Sequence, residues 1–257
     1  MNTVLDSIIS GVREDLEIRK KQRPKFDFQI DFKREVLDAA SALSSNKMNI
    51  IAEVKRSSPS KGELATISDP AELASQYEQA GAAVVSVLTE SRRFKGSISD
   101  FQKVRQTISI PMLRKDFIVD EYQVYESRAI GADLQLLIVA ALSKSELVDF
   151  FQMANELSMQ SLFEVHSLEE LEIAMGVSPK LIGVNSRNLK TLEVDSGVFD
   201  SLIPRIPNDI IKVAESGISN RAEVAHLENL GAHAILVGET LVKAQSAEDA
   251  IADLLAR

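Results

Sequence analysis

Residues 49–62 read NIIAEVKRSSPSKG, a short apolar run that meets a glutamate and a lysine and then breaks into a Ser/Lys/Gly loop. The same unit recurs along the chain. Pro111-Met112-Leu113 meets Arg114-Lys115, Ser161-Leu162-Phe163 meets Glu164, and Leu181-Ile182-Gly183-Val184 meets Asn185. Ile211-Lys212-Val213-Ala214 meets Glu215, and Ala234-Ile235-Leu236-Val237 meets Gly238. Runs this short and this apolar suit strands buried on both faces, as in a parallel sheet. Helix-period segments separate them. Parallel strands alternating with helices bring their C-terminal ends to one face, and in a closed barrel that face carries the active site. Residues far apart in sequence can therefore converge on one pocket, and the chain reads as an enzyme.

Working outward, the pattern predicts strands at about 49–54, 83–88, 111–114, 133–139, 161–165, 181–185, 211–214 and 234–238. Helices fill the gaps. Asp69-Pro70-Ala71-Glu72 supplies an N-cap, a proline at the first helical position and a capping-box glutamate, and Ser167-Leu168-Glu169-Glu170 repeats the box. Gly81, Gly131 and Gly231 each end a helix just before a strand, where glycine takes the left-handed C-cap conformation without steric cost. Eight strand–helix units predict an α/β fold, a single (β/α)8 or TIM barrel domain over residues 1–257. An open doubly wound sheet would call for a GxGxxG turn after the first strand, and none occurs. Residues 1–47 form an N-terminal helical extension, with one helix at 3–20 ended by Pro24 and a second at about 31–44.

The 257 residues match the typical length of such a barrel. A net charge of −9 argues against a nucleic-acid or anionic-membrane surface, so any anion site must be local. There is no cysteine, which excludes disulfides and Cys-zinc sites. The three histidines, His166, His226 and His233, lack ligand spacing, so no metal site is expected. No secretory signal opens the chain and no apolar stretch approaches a membrane span, which leaves a cytoplasmic enzyme as the expectation.

Several residues could carry chemistry. Glu53 and Lys55 lie two apart on a strand and point the same way, so they can hold each other ionised; a structural ion pair at the barrel mouth is the plainer alternative. Lys115 at a strand end suits a general acid or a Schiff-base amine, against a solvated surface lysine. Glu164 has apolar flanks that would raise its pKa towards neutrality. His166 is assigned to the following loop or cap and given no catalytic part. Arg187, just past Asn185, could clamp a carboxylate or simply brace its loop. Glu215-Ser216-Gly217 and Gly238-Glu239 follow the seventh and eighth strands, where barrels often bind phosphate on backbone N–H groups.

These segments together are more specific than the barrel pattern. IAEVKRSSPSKG (51–62), SVLTESRRFKGS (86–97), PMLRKDFIVDEYQ (111–123), SLFEVHSLEEL (161–171), IGVNSRNLKTLEVD (182–195), KVAESGIS (212–219) and ILVGETLV (235–242) closely resemble the indole-3-glycerol phosphate synthases of the tryptophan pathway, in family order. The resemblance implies a substrate, 1-(2-carboxyphenylamino)-1-deoxyribulose 5-phosphate, whose pyrrole ring closes with loss of carbon dioxide and then water. It implies no redox or metal cofactor. Carried over by motif, Lys115 is the general acid of ring closure and Glu164 the proton-transfer carboxylate of dehydration. Lys55 assists near the departing carboxylate. Glu53 orients and charges the lysines, and Asn185 hydrogen-bonds the sugar hydroxyls or Glu164. Arg187 faces the anthranilate carboxylate. Ser216, Gly217, Gly238 and Glu239 cradle the phosphate, with Glu215 preceding them and Ser58 in the first loop nearby. Pro59, Phe94, Phe117, Leu136 and Leu189 are candidates for the apolar wall around the aromatic ring. Some relatives carry Ser where this chain has Glu239, so its carboxylate is expected to point away from the phosphate. The implied partner is a small phosphorylated substrate, with no nucleic acid and no membrane, and the implied assembly is a monomer or weak homodimer. A Schiff-base aldolase, the isomerase of the preceding pathway step and a binding barrel without chemistry are the rivals.

Overall fold

Eight parallel strands close into a barrel in the computed structural model, which describes residues 3–256. They are β1 (Asn49–Val54), β2 (Val84–Leu88), β3 (Met112–Lys115), β4 (Leu134–Ile138), β5 (Gln160–Val165), β6 (Leu181–Asn185), β7 (Ile211–Glu215) and β8 (Ala234–Val237). Each pairs with its sequence neighbours, and β1 closes the ring on β8 through Asn49↔Ala234 and Ile51↔Leu236. Met1, Asn2 and Arg257, which the sequence-based domain range includes, lie outside the described residues. Among those residues no helix is long and apolar enough to cross a membrane.

The period-two alternation of a strand decides what faces inward. Ile51, Val84, Leu113, Leu134, Leu162, Leu181, Val213 and Ala234 belong to one apolar cluster that plugs the barrel. Ile50, Ala52, Val85, Phe163, Val184 and Ile235 belong to a second, which packs the strands against the surrounding helices. Two residues beyond the plug on the same strand faces come Glu53, Lys115, Glu164, Gly183 and Glu215. The ionisable residues of the strand ends therefore sit as a layer on top of an apolar floor.

Gly81, Gly131 and Gly231 adopt φ of 88°, 93° and 89°, the left-handed C-caps that the repeated Gly-Ala signature predicts. Asp69 caps α3 (Pro70–Gln79) by accepting from Ala71 and Glu72 N–H, with Pro70 at the first turn.

The extension departs from its sequence reading. Helix α1 (Val4–Gln22) forms, with Thr3 and Asp6 in a capping box, and buries Leu5, Ile8, Val12 and Leu16. The expected second helix at 31–44 shrinks to α2 (Ala39–Ala42). The reason is tertiary. Arg128 donates to the Asp31 and Arg34 carbonyls, and the buried Asp133 carboxylate accepts from Leu37 N–H and from the Arg34 guanidinium. Backbone groups that a helix would pair internally are bound to the barrel instead.

Candidate active site

A cavity of 530 Å³ opens at the C-terminal ends of the strands. Its base is a cluster of charge. Lys115 Nζ lies 2.9 Å from Glu164 Oε2 and 3.4 Å from Glu215 Oε2. Lys55 Nζ lies 2.5 Å from Glu53 Oε2, and Asn185 Nδ2 donates to Glu164 Oε1 at 3.0 Å. Burial favours the neutral amine of Lys115, but Glu164, Glu215 and Glu53 outweigh it and drive its pKa above the ordinary lysine value. Two glycines make this crowding possible. A Cβ on Gly183 would overlap the Glu215 carboxylate, and one on Gly238 would come within 2.5 Å of Glu53 Oε2. Gly183→Ala is expected to displace Glu215 and lower turnover by about 10²-fold, the cost of roughly 1 Å misplacement. Steady-state kinetics checks it, and wild-type turnover in that variant would contradict the packing argument.

Glu164 departs from its sequence expectation. Burial pushes its carboxyl upward, but Lys115 and His166 more than offset that and hold it well below the usual carboxylate range. Apolar neighbours in sequence are not the neighbours it has in space. The carboxyl poised near neutrality is Glu215 instead. Burial raises it to about 7 against the opposing pull of Lys115, and its Oε1 has no hydrogen-bond partner among the described residues.

His166 is also closer to the chemistry than expected. It does join the loop ahead of α7 (Leu168–Met175): its N–H and Nδ1 both contact Glu170 Oε2, at 2.7 and 3.0 Å. Its Nε2 also lies 3.3 Å from Glu164 Oε1. Burial favours the neutral ring, but Glu164 and Glu170 raise its pKa to about 9. A raised histidine pKa stabilises the fold fully below the unfolded value of 6.5, and that contribution is lost as pH rises through about 9. The His166→Asn variant is therefore expected to lose on the order of 2 kcal/mol relative to wild type at pH 6 and progressively less by pH 9.5. Urea unfolding at the two pH values measures this, and a pH-independent difference would contradict it.

Phe94 and Phe117 stand with ring centroids 6.1 Å apart, and Pro59, Leu136 and Leu189 line the cavity with them among other apolar side chains. Arg187 also lines the cavity, yet its Nη1 donates to Leu192 O at 3.1 Å, so part of the guanidinium braces its own loop. Ser58, Ser216, Gly217, Gly238 and Glu239 line the cavity as well. Ser216 and Gly217 both take left-handed backbone, φ 68° and 71°; this is strained for serine and turns the loop after β7 back on itself. The helix Glu239–Lys243 starts at Gly238 with no side-chain cap, and its first residues Glu239 and Thr240 line the cavity. Glu239 Oε1 is held by Lys61 and Lys243 at 2.8 and 2.7 Å, which neutralises the carboxylate.

All the residues given catalytic or substrate-binding parts in the sequence line this cavity. Lys61, Ser219, Thr240 and Lys243 line it too and were not singled out. Lys243 follows Glu239 at helical i,i+4 spacing, a signal present in the sequence. Gly183 was legible as a glycine inside a strand, which marks a close approach. His166 had no such signal.

A closed (β/α)8 barrel with Lys115, Glu164 and Glu215 of perturbed pKa in its C-terminal cavity has the architecture of a barrel enzyme. Among solved structures, it resembles 3-hexulose-6-phosphate synthase with a TM-score of 0.65 at 13% identity, covering 81% of this chain and 99% of that one. It also resembles the N-acetylmannosamine-6-phosphate 2-epimerase of Clostridium perfringens, with a TM-score of 0.63 at 13% identity over 82% and 93%. At that identity the likeness is one of fold. The chain belongs to the indole-3-glycerol phosphate synthase family, whose model matches residues 5–254. It is 49% identical to the indole-3-glycerol phosphate synthase of Kineococcus radiotolerans, over 99% of this chain and 95% of that protein. It is 50% identical to indole-3-glycerol phosphate synthase 1 of Streptomyces coelicolor, over 99% and 95%.

Proposed function

We propose that the protein converts 1-(2-carboxyphenylamino)-1-deoxyribulose 5-phosphate to indole-3-glycerol phosphate, releasing one carbon dioxide and one water. The observation that carries this reading is Lys115, held charged between Glu164 and Glu215 at the cavity floor. A lysine kept as ammonium donates a proton; a Schiff-base nucleophile needs the free amine. That supports the synthase over the aldolase-type alternative.

In this reading the aromatic ring packs against the wall formed by Phe94 and Phe117 with its carboxylate towards Arg187. The phosphate lies on the N–H groups at Ser216–Gly217 and Gly238–Glu239. Lys115 protonates the ribulose carbonyl as the ring carbon attacks it, and Lys55 neutralises the carboxylate that departs as carbon dioxide. In the dehydration Glu164, steadied by Asn185, accepts the ring proton while a lysine ammonium gives the departing hydroxyl the proton with which it leaves as water. Glu53 pairs with Lys55 and helps to keep Lys115 charged.

The test is to mix the protein with this substrate and follow indole fluorescence against carbon dioxide release. The chain has no tryptophan, so the protein background is low. Stoichiometric rise of both signals is expected. A flat trace from folded protein would discard the reaction, and borohydride trapping of a keto-phosphate adduct would then favour the Schiff-base enzyme.

A further inference from the structure

The loop between β2 and α4 (Ile98–Arg105) is built around one carboxylate that the reaction does not use. Glu90 is only 4% exposed. Its Oε1 accepts from the N–H of Arg92 at 2.9 Å, and its Oε2 from those of Arg93 and Phe94 at 2.7 and 2.9 Å. Its own carbonyl accepts from Gly96 N–H at 2.8 Å. Three successive N–H groups converging on a carboxylate form a nest, and charge-assisted bonds of this kind are roughly twice as strong as neutral ones. The loop returns onto the end of β2 so closely that a Cβ on Gly96 would overlap the Leu88 carbonyl.

This arrangement has a direct consequence at the cavity. Phe94 N–H is the last donor of the nest, and its ring is the one that meets Phe117. Thr89, next to Glu90, donates its N–H to Lys115 O and its hydroxyl to Asp116 Oδ2. The base of the loop is thus fixed to the strand end that carries Lys115 and Phe117. On the other side Arg92 pairs with Glu14 and Asp15 of α1. The segment between these anchors reaches the cavity with Phe94, and Glu90 sets its backbone.

We propose that Glu90 is a positioning residue: it presents Phe94 as a preorganised wall for the aromatic ring of the substrate, and so governs recognition of that ring rather than of the phosphosugar. The proposal rests on the reading of the substrate given above. It touches no reacting atom. Its contribution lies in ordering the loop before binding, which removes an entropic cost that the substrate would otherwise bear.

The experiment is a double-mutant cycle on the full chain. Glu90→Ala is expected to raise KM for the carboxyphenylamino substrate by about 10- to 100-fold, with a smaller change in kcat. Glu90→Gln keeps one accepting oxygen and turns an amide donor towards the remaining N–H groups, so an intermediate rise is expected. Binding of ribulose 5-phosphate, the same phosphosugar without the ring, should be unchanged. In a Phe94→Ala background Glu90→Ala should add nothing further to KM. An unchanged KM in both Glu90 variants, an equal loss of ribulose 5-phosphate binding, or an undiminished effect without the Phe94 ring would each overturn the proposal. If Glu90→Ala does not fold, the Gln variant decides by the same readouts. Failure of the substrate reading is distinguishable, because then wild type itself forms no indole product and both readings fall.

Discussion

Replacing Lys115 with alanine is expected to lower kcat by about 10²–10⁴-fold, the usual contribution of one positioned acid–base group. Lys115 ends β3 two residues beyond Leu113 in the apolar plug, so its stem rises from a fixed floor. Its ammonium reaches both Glu164 and Glu215, at 2.9 and 3.4 Å. Removing it leaves two buried carboxylates facing each other, so one must take up a proton. Glu164→Gln should match the loss in kcat, because it removes the proton-accepting carboxylate while preserving volume. Single-turnover measurements with the substrate separate these losses from changes in product release. Wild-type turnover in both variants would sink the role assignment, though not the fold.

Arg114→Met is expected to destabilise the fold by about 3–5 kcal/mol, the cost of leaving buried partners unpaired. Arg114 is fully buried, one residue before the lysine and pointing the other way. Its guanidinium contacts Asp116 Oδ2 and Glu126 Oε2 at 3.0 and 2.7 Å. It also donates to Thr89 Oγ1, the Gln123 carbonyl and Ser127 Oγ. Methionine fills much of the same space but satisfies none of these acceptors. Glu126 in turn pairs with Arg19 at 3.2 Å, so the network runs from α1 to the strand end. Loss of Arg114 should therefore lower activity as well, through Asp116, whose Oδ1 accepts from Phe117 N–H. Urea unfolding of both proteins tests it, and a change below about 1 kcal/mol would mean that the network contributes no net stability.

Strand ends were legible because an apolar run closing on a charge is a local pattern. Helix stops were legible because Gly81, Gly131 and Gly231 each need left-handed backbone, which few other residues adopt. The shape of residues 31–44 was not legible. Its backbone is committed to Arg128 and Asp133, roughly a hundred positions away in sequence. Glu164 fails for the same reason: Val165 and Phe163 flank it in sequence, but Lys115 and His166 surround its carboxylate in space.

Periodicity, caps and motif order alone determine the barrel, the family resemblance and the residues that gather at one end of it. These are properties of chemistry repeated along a chain, and they survive without coordinates. The folded ring sets the surroundings that shift the ionisation of Lys115, Glu164 and Glu215. It makes Glu215 rather than Glu164 the carboxyl near neutrality, brings His166 against Glu164, and gives Glu90 a loop to organise. Electrostatic energy depends on separation and burial, and both are set when strands distant in sequence become neighbours in the closed ring.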